Sequence, residues 1–408
     1  MHDHHHHSPH MTRRTLFSAI IPGVILAPDA FPQNAPDMAE RFRQMSIDFE
    51  HKGLADPFKG ITATGAVEPG LFGIHSTGVS TASVRTAAER FLASLTNQQR
   101  ARTMFAVDDP EWRKWMNQHF YVRQGVSFQE MTASQRDSAF GLLEASLSAR
   151  GLKLTRDIMR LNETLAELTN DHEFLGEWLY FITVMGKPSA TEPWGFQLDG
   201  HHVIINYFVL GDQVVMTPFF AGSEPVVATS GKYKGISILQ DEQNRGLDML
   251  LALDNAQRAK AILNPNKTAN YNLTEAFKDN VVLDYAGARA ADFPEPRRKQ
   301  LLDLIDLYVG NMDDGHARVK MDEVKRHIGR TCFAWIGASD SSGVYYYRIH
   351  SPVILIEFDH QRPANLARFA KDPNLPTREH IHCVVRTPNG NDYGKDLLRQ
   401  HHQSHAHA

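Results

Sequence analysis

Apolar positions change their spacing part-way along this chain. Through residues 80–95, 132–150 and 154–169 they recur three and four apart, which predicts helices. Ala139, Leu142, Leu143 and Leu147 share one face of the second, and Ile158, Leu161, Leu165 and Leu168 share one face of the third. Upstream, 38–51 reads as one short helix inside a loop-rich lead-in spanning 31–79. A helix over 108–120 is predicted from Asp108-Asp109-Pro110-Glu111, a cap followed by proline near the first turn. From Phe174 onward the pattern alternates and turns β-branched and aromatic. It predicts strands over 177–185, 202–210 and 213–219, the last two joined by a Gly211-Asp212 turn, then over 332–337, 343–350, 352–360 and 380–386. Helices over 246–262, 298–308 and 321–330 intervene. Helices first and strand pairs afterwards predict an α+β fold, a helical region packed on a mixed or antiparallel sheet with intervening helices.

A chain of 408 residues exceeds an ordinary single core. The reading is one large α+β domain over 80–398, with a helical lobe at 80–172 closely joined to a sheet lobe at 173–398. The net charge of -4 offers no basic field for nucleic acid. Cys332 and Cys383 are too few for a disulfide scaffold, though one bridge stays open for an exported protein. Histidine is abundant, and part of it lies in the runs 1–10 and 399–408, which read as disordered tails or, alternatively, as metal scavengers. Arg13 and Arg14 precede a short apolar run, 18–27, broken by Pro22-Gly23. That arrangement resembles a twin-arginine export signal and predicts a periplasmic or secreted bacterial protein with the export machinery as a partner. The run is too short for a stable membrane span.

The sheet region concentrates histidines and carboxylates. His380 and His382 are two apart on a predicted strand, so their side chains leave it on one side about 7 Å apart. Glu357 and Asp359 share a strand face, as do Phe358 and His360; His201-His202 opens another strand, where alternation lets at most one of the two face the site. Such groups are costly to bury unpartnered, and a metal ion is one partner. The candidate ligands are His202, His360, His380 and His382, for a divalent metal, zinc first and copper or iron as alternatives. Glu224 or Asp359 is the candidate general base and Arg386 the oxyanion stabiliser. Arg348 and His350, on one strand face, with Asn391, Asp392 and Tyr393 in a turn-rich loop, are the candidate substrate contacts. No Gly-x-Gly-x-x-Gly, phosphate loop, His-Glu-x-x-His or Cys-x-x-Cys is present.

Arg113-Lys114-Trp115-Met116-Asn117, Gly200-His201-His202, the run from Thr217 to Pro225, Glu357-Phe358-Asp359-His360, and His380-Ile381-His382 through Asn391-Asp392-Tyr393-Gly394 together resemble the family of domain of unknown function 3500. The resemblance runs from about residue 81 to 401. It implies a bacterial exported protein and supplies neither a reaction nor catalytic residues. From the residues alone, the expectation is a metal-dependent hydrolase using activated water on a small polar substrate. The alternatives are a copper or iron oxidoreductase on the same ligands, and a non-catalytic protein binding metal or a small ligand.

Overall fold

The computed structural model describes residues 35–404. Arg13, Arg14 and the histidines of 1–10 lie outside the described residues, as do His405 and His407. Five helices come first: α1 Ala35–Gly53, α2 Ala82–Ser94, α3 Asn97–Thr103, α4 Ala133–Ser146 and α5 Ala149–Thr169. The apolar stripe of 132–150 reads as one helix, but Leu147 is extended, and the Ser148 side chain accepts from Gly151 N to start a second. The predicted helix over 108–120 shrinks to one tight turn, Pro110–Arg113. Trp112 and Trp115 on that segment are wholly buried against the sheet, so tertiary packing overrides the local signal.

All 13 strands of the described residues join one sheet. They are β1 Met104–Phe105, β2 Val126–Ser127, β3 Tyr180–Met185, β4 Trp194–Gly200, β5 Val203–Leu210, β6 Gln213–Val215, β7 Phe219–Ser223, β8 Ile262–Asn264, β9 Ala288–Arg289, β10 Cys332–Gly337, β11 Tyr345–His350, β12 Leu355–His360 and β13 Ile381–Arg386. The path β3-β4-β5-β7-β13-β12-β11-β10 is antiparallel throughout; parallel pairs occur at its margins, β1 with β3 and β8 with β10. Between strands run α6 Gln240–Leu251, α7 Asn255–Ala261, α8 Glu295–Val309 and α9 Asp314–Arg326, and α10 Lys395–Ser404 follows the last strand. The fold is α+β. The histidine run expected to be a loose tail is helical through Ser404, with His401 buried.

Alternation along the strands gives the sheet two different faces. Tyr207, Ala221, Tyr347, Phe358 and Cys383 belong to the large core, which runs without interruption from Val84 on α2 to Val385 on β13. Ile204, Phe220 and Val384 point the other way, into a smaller core with Trp112, Trp115, Tyr393 and α10. Residues 265–284 also cover this second face, on which His382 lies. Cys332 and Cys383 are free and buried on strands separated by two others. Among the described residues no helix is long and apolar enough to cross a membrane.

Candidate metal centre

Gly200 pairs with Val203, so His201 and His202 form a two-residue turn between β4 and β5 rather than the start of a strand. His202 takes a left-handed backbone conformation, φ 67°, which is uncommon outside glycine, although histidine tolerates it better than most side chains. It is pinned there from both sides: its N–H donates to the Asn117 carbonyl at 3.2 Å, and its carbonyl accepts from Gly222 N at 2.8 Å. The two histidine rings therefore do not diverge as alternation requires. They stack, with centroids 3.9 Å apart.

From the neighbouring half of the sheet, His380 just before β13 and His382 on it reach the same point. His380 Nε2 lies 3.0 Å from His382 Nε2 and 3.3 Å from His202 Nε2. A ligand atom from each of the three lies within 4.8 Å of the others, and all three residues are buried. The outer nitrogens fix the tautomers. His380 donates Nδ1–H to the Arg362 carbonyl at 2.7 Å, and His382 donates Nδ1–H to Glu275 at 2.7 Å. Burial disfavours charging Glu275, but the His382 imidazole, Lys278 and Asn272 outweigh it and hold the carboxyl down to about 2, so it accepts. Burial, then the neighbouring His382, pushes His380 down to about 3; burial, then His201, pushes His202 far below the ordinary histidine range. With the Nδ1–H groups of His380 and His382 directed outward, the Nε2 atoms of these two rings face each other, and that of His380 also faces His202 Nε2. A cation bound to imidazole nitrogens at 2.0–2.1 Å in tetrahedral geometry sets those nitrogens roughly 3.3 Å apart. The observed spacing is close to that edge.

Residues 77–395 match the family described as Protein of unknown function (DUF3500). The chain belongs to that family. No curated protein and no solved structure matches it. The DUF3500 segment takes in all three converging histidines together with Glu275, and leaves α1 outside.

Other expected site residues of this DUF3500 protein lie elsewhere. His360 points into the opposite face of the sheet, where Nε2 meets Gln243 at 2.8 Å and the ring packs edge-on against Tyr345 and Phe358. Glu224 accepts from the amides of Ala364 and Asn365, each at 2.8 Å, and lies 4.0 Å from the Nδ1 of His380. It stands behind that ring, not beside the Nε2 cluster. Asp359 pairs with the fully buried Lys267 at 2.8 Å and accepts from Tyr271 N and Asn272 N. Glu357 takes Leu273 N at 2.9 Å, Thr274 N at 3.0 Å, the Thr274 hydroxyl and Tyr346 OH. The two strand carboxylates thus grip four consecutive amides of the covering segment, and neither is free to act as a base.

Arg386 binds Asp392 at 2.8 Å and Asp279 at 2.6 Å, all three buried. Asp279 also receives Arg113 Nε at 2.7 Å and Tyr393 OH at 2.9 Å, and Tyr393 OH accepts from Trp115 Nε1 at 2.9 Å. Asn391 Oδ1 accepts from Leu397 N at 3.4 Å. Arg386, Asn391, Asp392 and Tyr393 therefore lock the chain after β13 onto the sheet; they do not line a mouth. Arg348 and His350 lie two strands from the histidine cluster. Sequence reasoning missed Glu275, Asn272, which donates to Glu275 at 2.9 Å, and Asn162, which accepts from His201 Nδ1 at 2.8 Å. Glu275 sits in a polar stretch without periodicity and has no sequence link to β13.

Proposed function

We propose that His202, His380 and His382 hold one divalent cation through Nε2, zinc by ligand type, in an exported metal-dependent hydrolase acting on a small polar substrate. The observation that carries this reading is the convergence of His380 and His382 with both Nδ1 protons already committed outward. Three protein nitrogens leave a fourth position, where a bound zinc ion lowers the pKa of water to about 7. The chain's own residues hold the set. Glu275 orients His382, the Arg362 carbonyl orients His380, and His201, fixed by Asn162, lies flat on His202. Glu275 is 21% exposed on its side chain and His382 8%, so of this pair the carboxylate is the more accessible to solvent. Export rests on Arg13-Arg14 and is part of the same proposal.

A three-imidazole set without thiolate is also one that copper or iron accepts. Elemental analysis with an absorption spectrum, on protein trimmed of 1–10 and 405–408 to remove the extra histidines, separates the readings. One equivalent of colourless metal, lost in the His380→Ala/His382→Ala variant, supports the hydrolase. A coloured protein favours the oxidoreductase. One equivalent retained by the double variant places the ligands elsewhere and ends the proposal.

A further inference from the structure

We propose that Arg348 and His350 form a second ligand site, independent of the histidine cluster, for a small oxyanion that also carries an O–H group, of which hydrogen phosphate is the simplest. Both side chains leave the same face of β11, two residues and so about 7 Å apart. They are 4% and 1% exposed. Arg348 makes no ion pair within 4.0 Å to a buried carboxylate among the described residues. Its Nη2 donates to the Asp284 carbonyl at 3.3 Å and lies 4.0 Å from the Asp284 carboxylate, whose side chain is 83% exposed. The strand carboxylate across from it, Glu357, is already taken by Leu273, Thr274 and Tyr346. Among the described residues, Arg348 Nε has no hydrogen-bond partner. A buried, unmatched guanidinium donor is expensive, and an anion removes the cost.

His350 supplies the complementary half. Its Nδ1–H donates to the Asp284 carbonyl at 3.3 Å, which leaves Nε2 an acceptor, and that atom too has no partner among the described residues. A neutral acceptor beside an unmatched cation fits a ligand presenting an anionic oxygen to Arg348 and a hydroxyl proton to His350. Tyr285 packs on the His350 ring at 4.6 Å between centroids. The exposed Arg289 on β9 and His350 both pair across from Cys332, which adds positive charge at the rim. The register Arg348–Glu357–Val384 puts this site roughly 12 Å from His382 by strand spacing. The amides gripped by Glu357 and Asp359 lie between the two.

Calorimetric titration of the full chain with inorganic phosphate, and separately with sulfate, tests the site. Sulfate carries no proton at neutral pH. Saturable 1:1 phosphate binding is expected, with sulfate at least ~10-fold weaker. Arg289→Ala should weaken phosphate several-fold, and Arg348→Gln should abolish it. Should Arg348→Gln fail to fold, His350→Phe keeps an aromatic ring in place and should lose the preference for phosphate over sulfate. His380→Ala/His382→Ala must bind phosphate as the parent does. Loss of binding in that variant would assign the anion to the metal centre and overturn the proposal. So would the absence of saturable binding, equal affinities for the two anions, or a His350→Phe variant with unchanged preference.

Discussion

Glu275, from a segment 107 residues upstream, accepts the Nδ1 proton of His382 at 2.7 Å. That hydrogen bond turns the ring so that Nε2 faces His380. A carboxylate behind a ligating imidazole fixes its orientation and raises its basicity, and removing one costs about 10–100-fold in metal affinity. Glu275→Ala should lower zinc affinity by that factor in competition with a chromophoric chelator, while the metal-free proteins melt together. Glu275→Gln, whose amide oxygen still accepts, should recover most of the affinity.

Asp392→Ala should behave as a stability defect. Asp392 and Arg386 are both fully buried, and Asp392 also accepts from Thr387 N at 2.7 Å. Removing one partner of a buried ion pair costs about 3–5 kcal/mol. Urea unfolding should show a loss of about that size with metal stoichiometry unchanged; a metal-free but equally stable variant would contradict the assignment.

Glu111 should make the fold lose stability as pH rises from about 4.5 to about 8. Burial pushes its carboxyl from the ordinary 4.5 up to about 8, against the smaller pull of Lys114. The folded protein keeps the proton and the unfolded chain releases it near 4.5. Stability is therefore fully present below about 4.5 and is lost progressively as pH rises through about 8, on the order of 5 kcal/mol across the window. Glu111→Gln should flatten the urea midpoint between pH 5 and pH 9.

Arg13→Lys/Arg14→Lys should leave the product in the cytoplasm if the pair is read by the twin-arginine machinery. Fractionation that finds undiminished periplasmic protein would refute the export reading.

The last four long strands were legible because their alternation is uninterrupted: 380–386 in the sequence and Ile381–Arg386 in the structure differ by one residue. The shared side of His380 and His382 follows from the same period. His202 was harder, since adjacent histidines read as a strand and the turn shows only once Gly200 pairs with Val203. His360 has a ligand's chemistry but the wrong strand parity for the site. It lies one residue from Asp359, whose register partner is His382, and so it must face the other side. Glu275 carried no signal at all. Its position is decided by amides held by two strand carboxylates, a contact across 83 to 88 residues that no local pattern encodes.

That grip limits where the covering segment can change length. An extra residue before Lys267, or after Asp279, can bulge outward without moving Glu275. One between Tyr271 and Glu275 would shift an amide out of reach of Asp359 or Glu357, or carry Glu275 a step past His382. Related chains that retain the three histidines should therefore vary in loop length before Lys267 or after Asp279, and hardly at all within the five positions from Tyr271 to Glu275.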